Sequence, residues 1–101
     1  YIDQAGDQRV YVGELGVAIA PNAQATGLGP RITVMDVNGN TLAKLGDVPE
    51  GEQPGTFIAP HGVCLDSRGD VYVAEVSWTH TGSKLTPPRE VRSLQKLVRA
   101  G

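Results

Sequence analysis

A short unit of two strands around a tight turn occurs twice in this sequence, and this repeat constrains the fold more than any other feature. In the clearer copy, residues 62–66 form an apolar strand, residues 67–69 a turn and residues 70–76 a second strand. The second strand alternates its side chains with a period of two, the pattern of a half-buried β-strand. In the weaker copy, Val10-Tyr-Val-Gly-Glu14 matches Val71-Tyr-Val-Ala-Glu75. Strand pairs that recur along a chain predict a repeat architecture.

Two further strands lie between the copies. Residues 32–37 alternate and are rich in β-branched side chains. Asn38-Gly39 follows them, and this dipeptide is typical of two-residue turns in which both positions have positive φ. Residues 41–45 then predict the strand that pairs back.

The tail, residues 87–101, fits two structures. Several of its apolar residues lie on one helical face, and Pro88 is a suitable first residue for a helix. Residues 94–98 also fit a strand. The repeat favours the strand, because Pro30-Arg31 before one predicted strand resembles Pro88-Arg89 before the other.

The strands of one unit are named a, b, c and d in chain order. The first unit, residues 1–46, contains the end of a followed by b, c and d, and the second, residues 57–99, contains a, b and c. We therefore predict an all-β fold in which residues 1–101 are part of one β-propeller domain, a partial propeller of four-stranded antiparallel meanders. Because the first residues already fit the end of a strand, we expect a longer protein that supplies the remaining blades. Two blades taken from a ring expose sheet edges and apolar faces, which predicts association.

The clearer copy also resembles a known repeat. The segment Pro60-His61-Gly62-Val-x-x-Asp66-x-x-Gly69-Asp70-Val-Tyr72-Val73 resembles the NHL repeat of six-bladed β-propellers. Its start at Phe57-x-x-Pro-His-Gly, followed by Tyr-Val-Ala-Glu, is similar to the propeller of peptidyl-α-hydroxyglycine α-amidating lyases and their bacterial relatives. The resemblance covers residues 1–15, 31–46 and 57–76 well, and residues 89–99 loosely.

This resemblance implies a metal site and a reaction. In the lyase family, histidines at the starts of inner strands ligate a zinc ion on the propeller axis, and His61 matches one such position; calcium is implied as a second metal. Zinc held by neutral imidazoles with an open position can act as a Lewis acid on a substrate oxygen. The family cleaves hydroxyglycine-extended peptides to a peptide amide and glyoxylate. Its other zinc histidines and its catalytic arginine and tyrosine would lie in blades outside this chain.

Two other functional hypotheses compete with the lyase hypothesis. A non-catalytic NHL propeller would bind a protein or another ligand and would need only a suitable surface. A propeller similar to sugar-lactone hydrolases is the weaker rival, because those proteins use acidic and amide metal ligands near the axis. The expected partners are the remaining blades and a small-molecule or peptide ligand, and whether the chain serves an enzyme stays open.

One face of the predicted sheets carries all the long loops. In an a-b-c-d meander, the loop before a and the loop between b and c open on the same face. The loops of residues 16–30, 46–60 and 77–88 are of these two kinds, whereas the plain turns belong to the opposite face. Loops this long in a compact fold are usually functional, so we predict that their face binds the ligand. The candidate residues on it are His61, Glu14, Glu75, Trp78, His80, Arg31 and Arg89.

The charged and aromatic candidates each have a structural alternative. Glu14 and Glu75 either cap the end of strand b by accepting backbone donors or take part in binding. Arg31 and Arg89 each follow a proline just before strand c. They either pair with the glutamate of the same unit or offer a fork to a ligand carboxylate. Trp78 either pins its loop to the blade or forms the rim of a pocket.

The histidines and the cysteine also have structural explanations. His61 and His80 lack the close spacing of a structural zinc motif. His80 is expected in a solvated loop, and His61 either ligates a metal or hydrogen-bonds to backbone where its strand begins. Cys64 is the one cysteine, so no internal disulfide is possible. Its apolar neighbours predict a small, buried side chain.

Charge and hydropathy exclude two classes of partner. The net charge is −2 at pH 7, which lacks the basic footprint expected of a nucleic-acid-binding domain. No apolar run approaches the roughly 20 residues of a membrane span. We therefore expect neither nucleic-acid binding nor a membrane span in this chain.

Overall fold

The computed structural model describes residues 1–4, 6–16, 29–46 and 49–99. Its strands are β1 (Ile2–Asp3), β2 (Arg9–Glu14), β3 (Arg31–Asp36), β4 (Thr41–Leu45), β5 (Pro60–Leu65), β6 (Val71–Glu75) and β7 (Leu94–Leu97). Between β6 and β7 lie a one-turn helix, α1 (Ser77–His80), and a 3₁₀ turn, Gly82–Lys84. In the described part of the chain, no helix is long and apolar enough to cross a membrane.

The strands form two antiparallel sheets. One has the order β1-β2-β3-β4 and the other the order β5-β6-β7. The nearly all-β architecture is therefore confirmed, and so is the strand, rather than a helix, in the tail. However, β7 begins at Leu94, five residues after Arg89, so the expected equivalence between Pro88-Arg89 and Pro30-Arg31 is wrong.

The hairpin turn after β3 differs from the predicted two-residue turn. Only Gly39 has a positive φ, of 89°, and Asn38 does not. The backbone N–H of Asp36 donates to Asn40 O at 2.9 Å, and that of Gly39 donates to Asp36 O at 3.2 Å, which makes a three-residue loop. Such loops combine an ordinary turn with one left-handed residue. The Asp36 side chain favours this form, because its Oδ1 accepts the N–H groups of Asn38 and Asn40, both at 2.9 Å.

The turn between β5 and β6 uses the same device. The Asp66 Oδ1 accepts the N–H groups of Arg68 at 2.9 Å and of Asp70 at 3.1 Å. Gly69 takes the left-handed position with a φ of 82°. An aspartate that bonds its own turn and a glycine that tolerates positive φ therefore close both hairpins.

The main core lies between the two sheets. Its buried residues are Tyr11, Ile32 and Val34 from the first sheet and Phe57, Val71 and Val73 from the second unit. Ile32, Phe57 and Val73 are fully buried, and each such side chain contributes about 1.5–3 kcal/mol of hydrophobic free energy. The two sheets are thus held face to face by apolar packing.

Cys64 is exposed, which corrects the prediction that it is buried. The reason is the alternation along β5. Val63 and Leu65 pack against the core between the sheets, so Cys64 points to the opposite side of its sheet. Its apolar neighbours in the sequence are partly buried on the face of the sheet opposite to Cys64.

Candidate functional site

Strand register brings four of the candidate residues to the same end of the sheets. Glu14 at the end of β2 is paired with Arg31 at the start of β3. Glu75 at the end of β6 is paired with Pro60, which precedes His61 at the start of β5. We call this the His61 end, defined by the end of β2, the start of β3, the start of β5 and the end of β6.

The two sheets meet at the His61 end. A β-carbon built on Gly13 of β2 would lie 3.5 Å from Pro60 O and 3.6 Å from His61 O. These are ordinary van der Waals distances, so the start of β5 packs directly against the last residues of β2. His61 therefore lies beside the strand that carries Glu14.

His61 is exposed, and its imidazole has no hydrogen-bond or ionic partner within residues 1–4, 6–16, 29–46 and 49–99. The structural alternative, a hydrogen bond to backbone, is therefore not made by the described residues. An unpaired imidazole at this position is free to accept a metal or to hydrogen-bond a ligand.

A zinc or calcium site is not complete among the described residues. They form no group of three or more histidine, cysteine, aspartate or glutamate side chains that could hold a metal ion. Zinc needs at least three protein ligands in a catalytic site. His61 by itself does not fit such an ion, and further donors would have to come from outside this part of the chain.

Glu14 and Arg31 form an ion pair, so of the two alternatives for Arg31, pairing with the glutamate of its own unit is the one observed. Arg31 Nε donates to Glu14 Oε2 at 2.8 Å, and Arg31 Nη2 donates to Glu14 Oε1 at 3.2 Å. The Thr33 hydroxyl donates a short hydrogen bond to Glu14 Oε2. The Arg31 guanidinium holds the pKa of the Glu14 carboxyl below its ordinary value. Both side chains are partly shielded, with Arg31 15 % and Glu14 31 % exposed.

Glu75 has the capping role that was proposed as its structural alternative. Its Oε1 accepts the backbone N–H groups of Ile58 at 2.6 Å and of Ala59 at 2.9 Å. The residue is 6 % exposed, and its Oε2 is buried with no hydrogen-bond partner in the described chain. Glu75 thus fixes the segment that leads into β5, two residues before His61.

Arg89 pairs with Glu52 and not with Glu75, so the second expected ion pair is wrong. Arg89 Nη1 and Nη2 donate to the two carboxylate oxygens of Glu52 at 3.0 and 2.8 Å. Because β7 begins later than predicted, Arg89 lies in the exposed loop before it, and the backbone N–H of Glu75 donates instead to Ser93 O at 2.7 Å. Arg89 lowers the pKa of Glu52, and Glu52 raises the pKa of Arg89.

Arg92 was not among the predicted site residues, although it organises the loop before β5. Its Nη1 donates to Glu52 O at 2.7 Å, and its Nη2 donates to the carbonyls of Gln53 at 3.2 Å and Thr56 at 3.1 Å. Gln95 adds a bond from Nε2 to Thr56 O at 2.8 Å. In the sequence, Arg92 is one residue from Ser93, which lies opposite Glu75. The Pro88-Arg89 pair points instead to Arg89, because it resembles Pro30-Arg31.

The remaining two candidates lie on α1, in the loop that follows β6. Trp78 is half exposed, and its ring approaches Gly82, where a β-carbon would lie 3.1 Å from Cε3. His80 is half-buried. Trp78 thus packs against Gly82 of its own loop and keeps an exposed aromatic surface. Residues 17–28 of the predicted β2–β3 loop lie outside the described residues.

A groove of about 730 Å³ lies between the sheets, away from the candidates. Its lining includes Asp3, Arg9, Gly69 and Arg99, which lie at the end of the sheets that carries the hairpin turns, opposite to His61. None of the seven candidate residues lines it. Strand register thus brings four of the seven candidates to the His61 end, and this groove lies at the other end of the sheets.

Comparison with known families gives one match. The family model of the NHL repeat matches residues 57–81, which include β5, β6 and α1. Comparisons with curated proteins and with solved structures found no match. The repeat and the two antiparallel sheets together fit a partial β-propeller.

Proposed function

We propose that this chain contributes two adjacent blades to an NHL-type propeller, and that the His61 end is the ligand-binding face. The observation that carries the proposal is the exposed imidazole of His61, which no described residue engages, at the point where β5 begins and packs beside β2. The surrounding backbone is held by Glu75, which is itself buried. An exposed imidazole beside a backbone that is held by hydrogen bonds is suited to bind a ligand or a metal.

The finer form of the proposal is a metal-dependent lyase similar to the peptidyl-α-hydroxyglycine α-amidating lyases. His61 would be one zinc ligand, and the other donors would come from outside the described residues, because these hold no further cluster. Zinc, when bound, would supply Lewis-acid activation of a substrate oxygen. The role of this chain would be to hold His61 in place through the contacts of Glu75.

The second candidate is a non-catalytic propeller that binds a protein or another ligand at the same end. The observation that favours it is that Glu14, Arg31, Glu75 and Arg89 are all engaged by other residues of the chain. These side chains stabilise loops and strand ends. A scaffold needs such an ordered surface and does not need a reactive group.

Metal content separates the two candidates. The complete propeller that carries this chain would be purified with His61→Ala and, as a matched control, His80→Ala. For a lyase, we expect His61→Ala to lose bound zinc and the release of glyoxylate from a hydroxyglycine-extended peptide, while His80→Ala keeps both. Full zinc and turnover in His61→Ala would exclude the ligand assignment. Peptide binding without zinc or turnover in the wild type would favour the scaffold.

A further inference from the structure

One extra residue interrupts the pairing between β5 and β6, and it lies at His61. After this point each residue of β5 lies opposite one residue of β6, beginning with the pair of Gly62 and Ala74. The next residue of β6, Glu75, is paired with Pro60. His61 therefore has no partner in β6 and is the extra residue of a β-bulge.

The bulge reverses the alternation of side chains at the start of β5. Val63 and Leu65 pack against the core between the sheets, and we call this side of β5 the core side. Unbroken alternation would place His61 on the core side and Pro60 on the other side. Instead, Pro60 is fully buried and His61 is exposed. The extra residue thus moves the imidazole away from the core side.

A strand without the extra residue would pair His61 with Glu75. Residues that lie directly opposite each other in an antiparallel pair carry their side chains on the same side of the sheet. Glu75 is buried, so an imidazole at that position would be buried beside its carboxylate. In the observed register, Pro60 takes this place.

The proline by itself does not require a bulge. Pro60 is the first residue of β5, and β5 lies at the edge of its sheet. Both are positions at which a sheet accepts a proline, which lacks a backbone N–H. The effect that is specific to the bulge is the exposure of His61. Bulges occur often beside active sites, where they change the direction of a side chain.

The backbone around the bulge is held on two sides. Glu75 accepts the N–H groups of Ile58 and Ala59, the two residues that precede β5. On the other side, Gly13 of β2 lies against the first two carbonyl oxygens of β5. These contacts fix the backbone from which the imidazole projects.

We propose that Pro60 is a positioning residue for His61. It takes the core-side place opposite Glu75, maintains the bulge and thereby keeps the imidazole at the surface. The proposal rests on the proposed function for the role of His61 in binding a ligand. The exposure of the imidazole is measured without any ligand, so failure of the bulge and failure of the binding role are observed separately.

Two one-residue deletions in the complete propeller test this proposal, because they remove the bulge in different ways. Deletion of Pro60 pairs His61 with Glu75 and places the imidazole on the core side. Deletion of Gly62 pairs His61 with Ala74, whose side chain is exposed. Pro60 then stays opposite Glu75. Both deletions shorten the chain equally, so the second is the matched control.

The measurement is the rate at which diethyl pyrocarbonate modifies each histidine, followed by trypsin digestion and mass spectrometry. Trypsin places His61 and His80 in separate peptides, residues 45–68 and 69–84. In the first deletion, modification of His61 should slow by about tenfold or more, because a buried side chain reacts only through local opening. In the second deletion it should stay near the wild-type rate, and His80 is the internal reference in both.

Zinc content, measured in the wild type and in the Pro60 deletion, tests the binding role. Zinc that is present in the wild type and is lost together with the exposure of His61 supports the positioning role. A wild type without zinc would contradict the metal proposal, while the difference in reactivity between the two deletions would still support the bulge. A Pro60 deletion that keeps both zinc and a reactive His61 would overturn the positioning role.

Circular dichroism verifies that both deletions fold. If the Pro60 deletion is unfolded, Pro60→Cys and His61→Cys are compared instead, each combined with Cys64→Ser. The bulge predicts rapid thiol labelling at position 61 and slow labelling at position 60. The proposal is overturned if His61 is equally reactive in two folded deletions, or if the two introduced thiols are labelled at the same rate.

Discussion

The ring of Phe57 lies directly against the α-carbon of Gly46. A β-carbon built on Gly46 would lie 2.3 Å from Phe57 Cδ2 and 2.5 Å from Cε2. Gly46 follows the last strand of the first sheet with a φ of +87°, and Phe57 is fully buried ahead of the second. This close approach anchors the start of the second unit on the end of the first, and only glycine allows it.

Substitution of Gly46 by alanine is therefore expected to be costly. The left-handed backbone adds about 1–2 kcal/mol for a residue with a β-carbon, and displacement of the Phe57 ring adds about 1–3 kcal/mol. Gly39→Ala is the matched control, because Gly39 has a φ of +89° with nothing within 4 Å of its β-carbon position. Urea unfolding followed by circular dichroism should show the larger loss for Gly46→Ala. Equal losses would mean that Phe57 moves aside without cost.

Glu75 is expected to stabilise the chain through shape and hydrogen bonding rather than through charge. Glu75→Ala leaves the buried N–H groups of Ile58 and Ala59 without their acceptor. The expected loss is about 2–5 kcal/mol in the free energy of unfolding. Glu75→Gln retains a carbonyl oxygen that both N–H groups can use, and should lose much less. If both variants lose the same stability in urea unfolding, the charge itself is required.

Acid should weaken the contact between Glu14 and Arg31. The folded-state pKa of Glu14 lies below its ordinary value because of the Arg31 guanidinium. Its contribution to stability is therefore fully present above the ordinary glutamate pKa of about 4.3 and is lost as the pH falls through the folded-state pKa. Urea midpoints measured across this range should fall less steeply for Glu14→Gln than for the wild type. Glu90→Gln, at an exposed position, should keep the wild-type slope. An unchanged slope in Glu14→Gln would contradict the assignment.

Arg92, and not Arg89, is expected to hold the loop before β5. Arg92 donates to three carbonyls of that loop, whereas Arg89 and Glu52 are 55 % and 45 % exposed. Exposed ion pairs contribute about 0–1 kcal/mol. Hydrogen exchange should therefore accelerate at Thr56, whose N–H donates to Gln53 O, in Arg92→Ala. In Arg89→Ala it should stay close to wild type. The reverse order would show that the exposed pair controls the loop.

The strands and the turn positions follow from the sequence because they depend on neighbouring residues. Alternation over residues 71–75 appears as β6, and the run at 94–98 contains β7. The pairing of Glu14 with Arg31 was also predictable, since it joins facing ends of adjacent strands. The detailed form of the Asn38-Gly39 turn was missed because the Asp36 side chain, rather than the dipeptide, selects it.

The tertiary structure decided what the side chains contact. Val63 and Leu65 pack against the core between the sheets, and Cys64, which lies between them on the same strand, is therefore exposed on the other side. Arg89 meets Glu52 because β7 begins only at Leu94, which leaves Glu75 to bind the backbone of Ile58. Local sequence determines the periodicity of a strand and the residues that can turn it. The packing of segments that are far apart in the chain decides which face of a sheet is covered and where a loop ends. Local sequence does not determine these contacts.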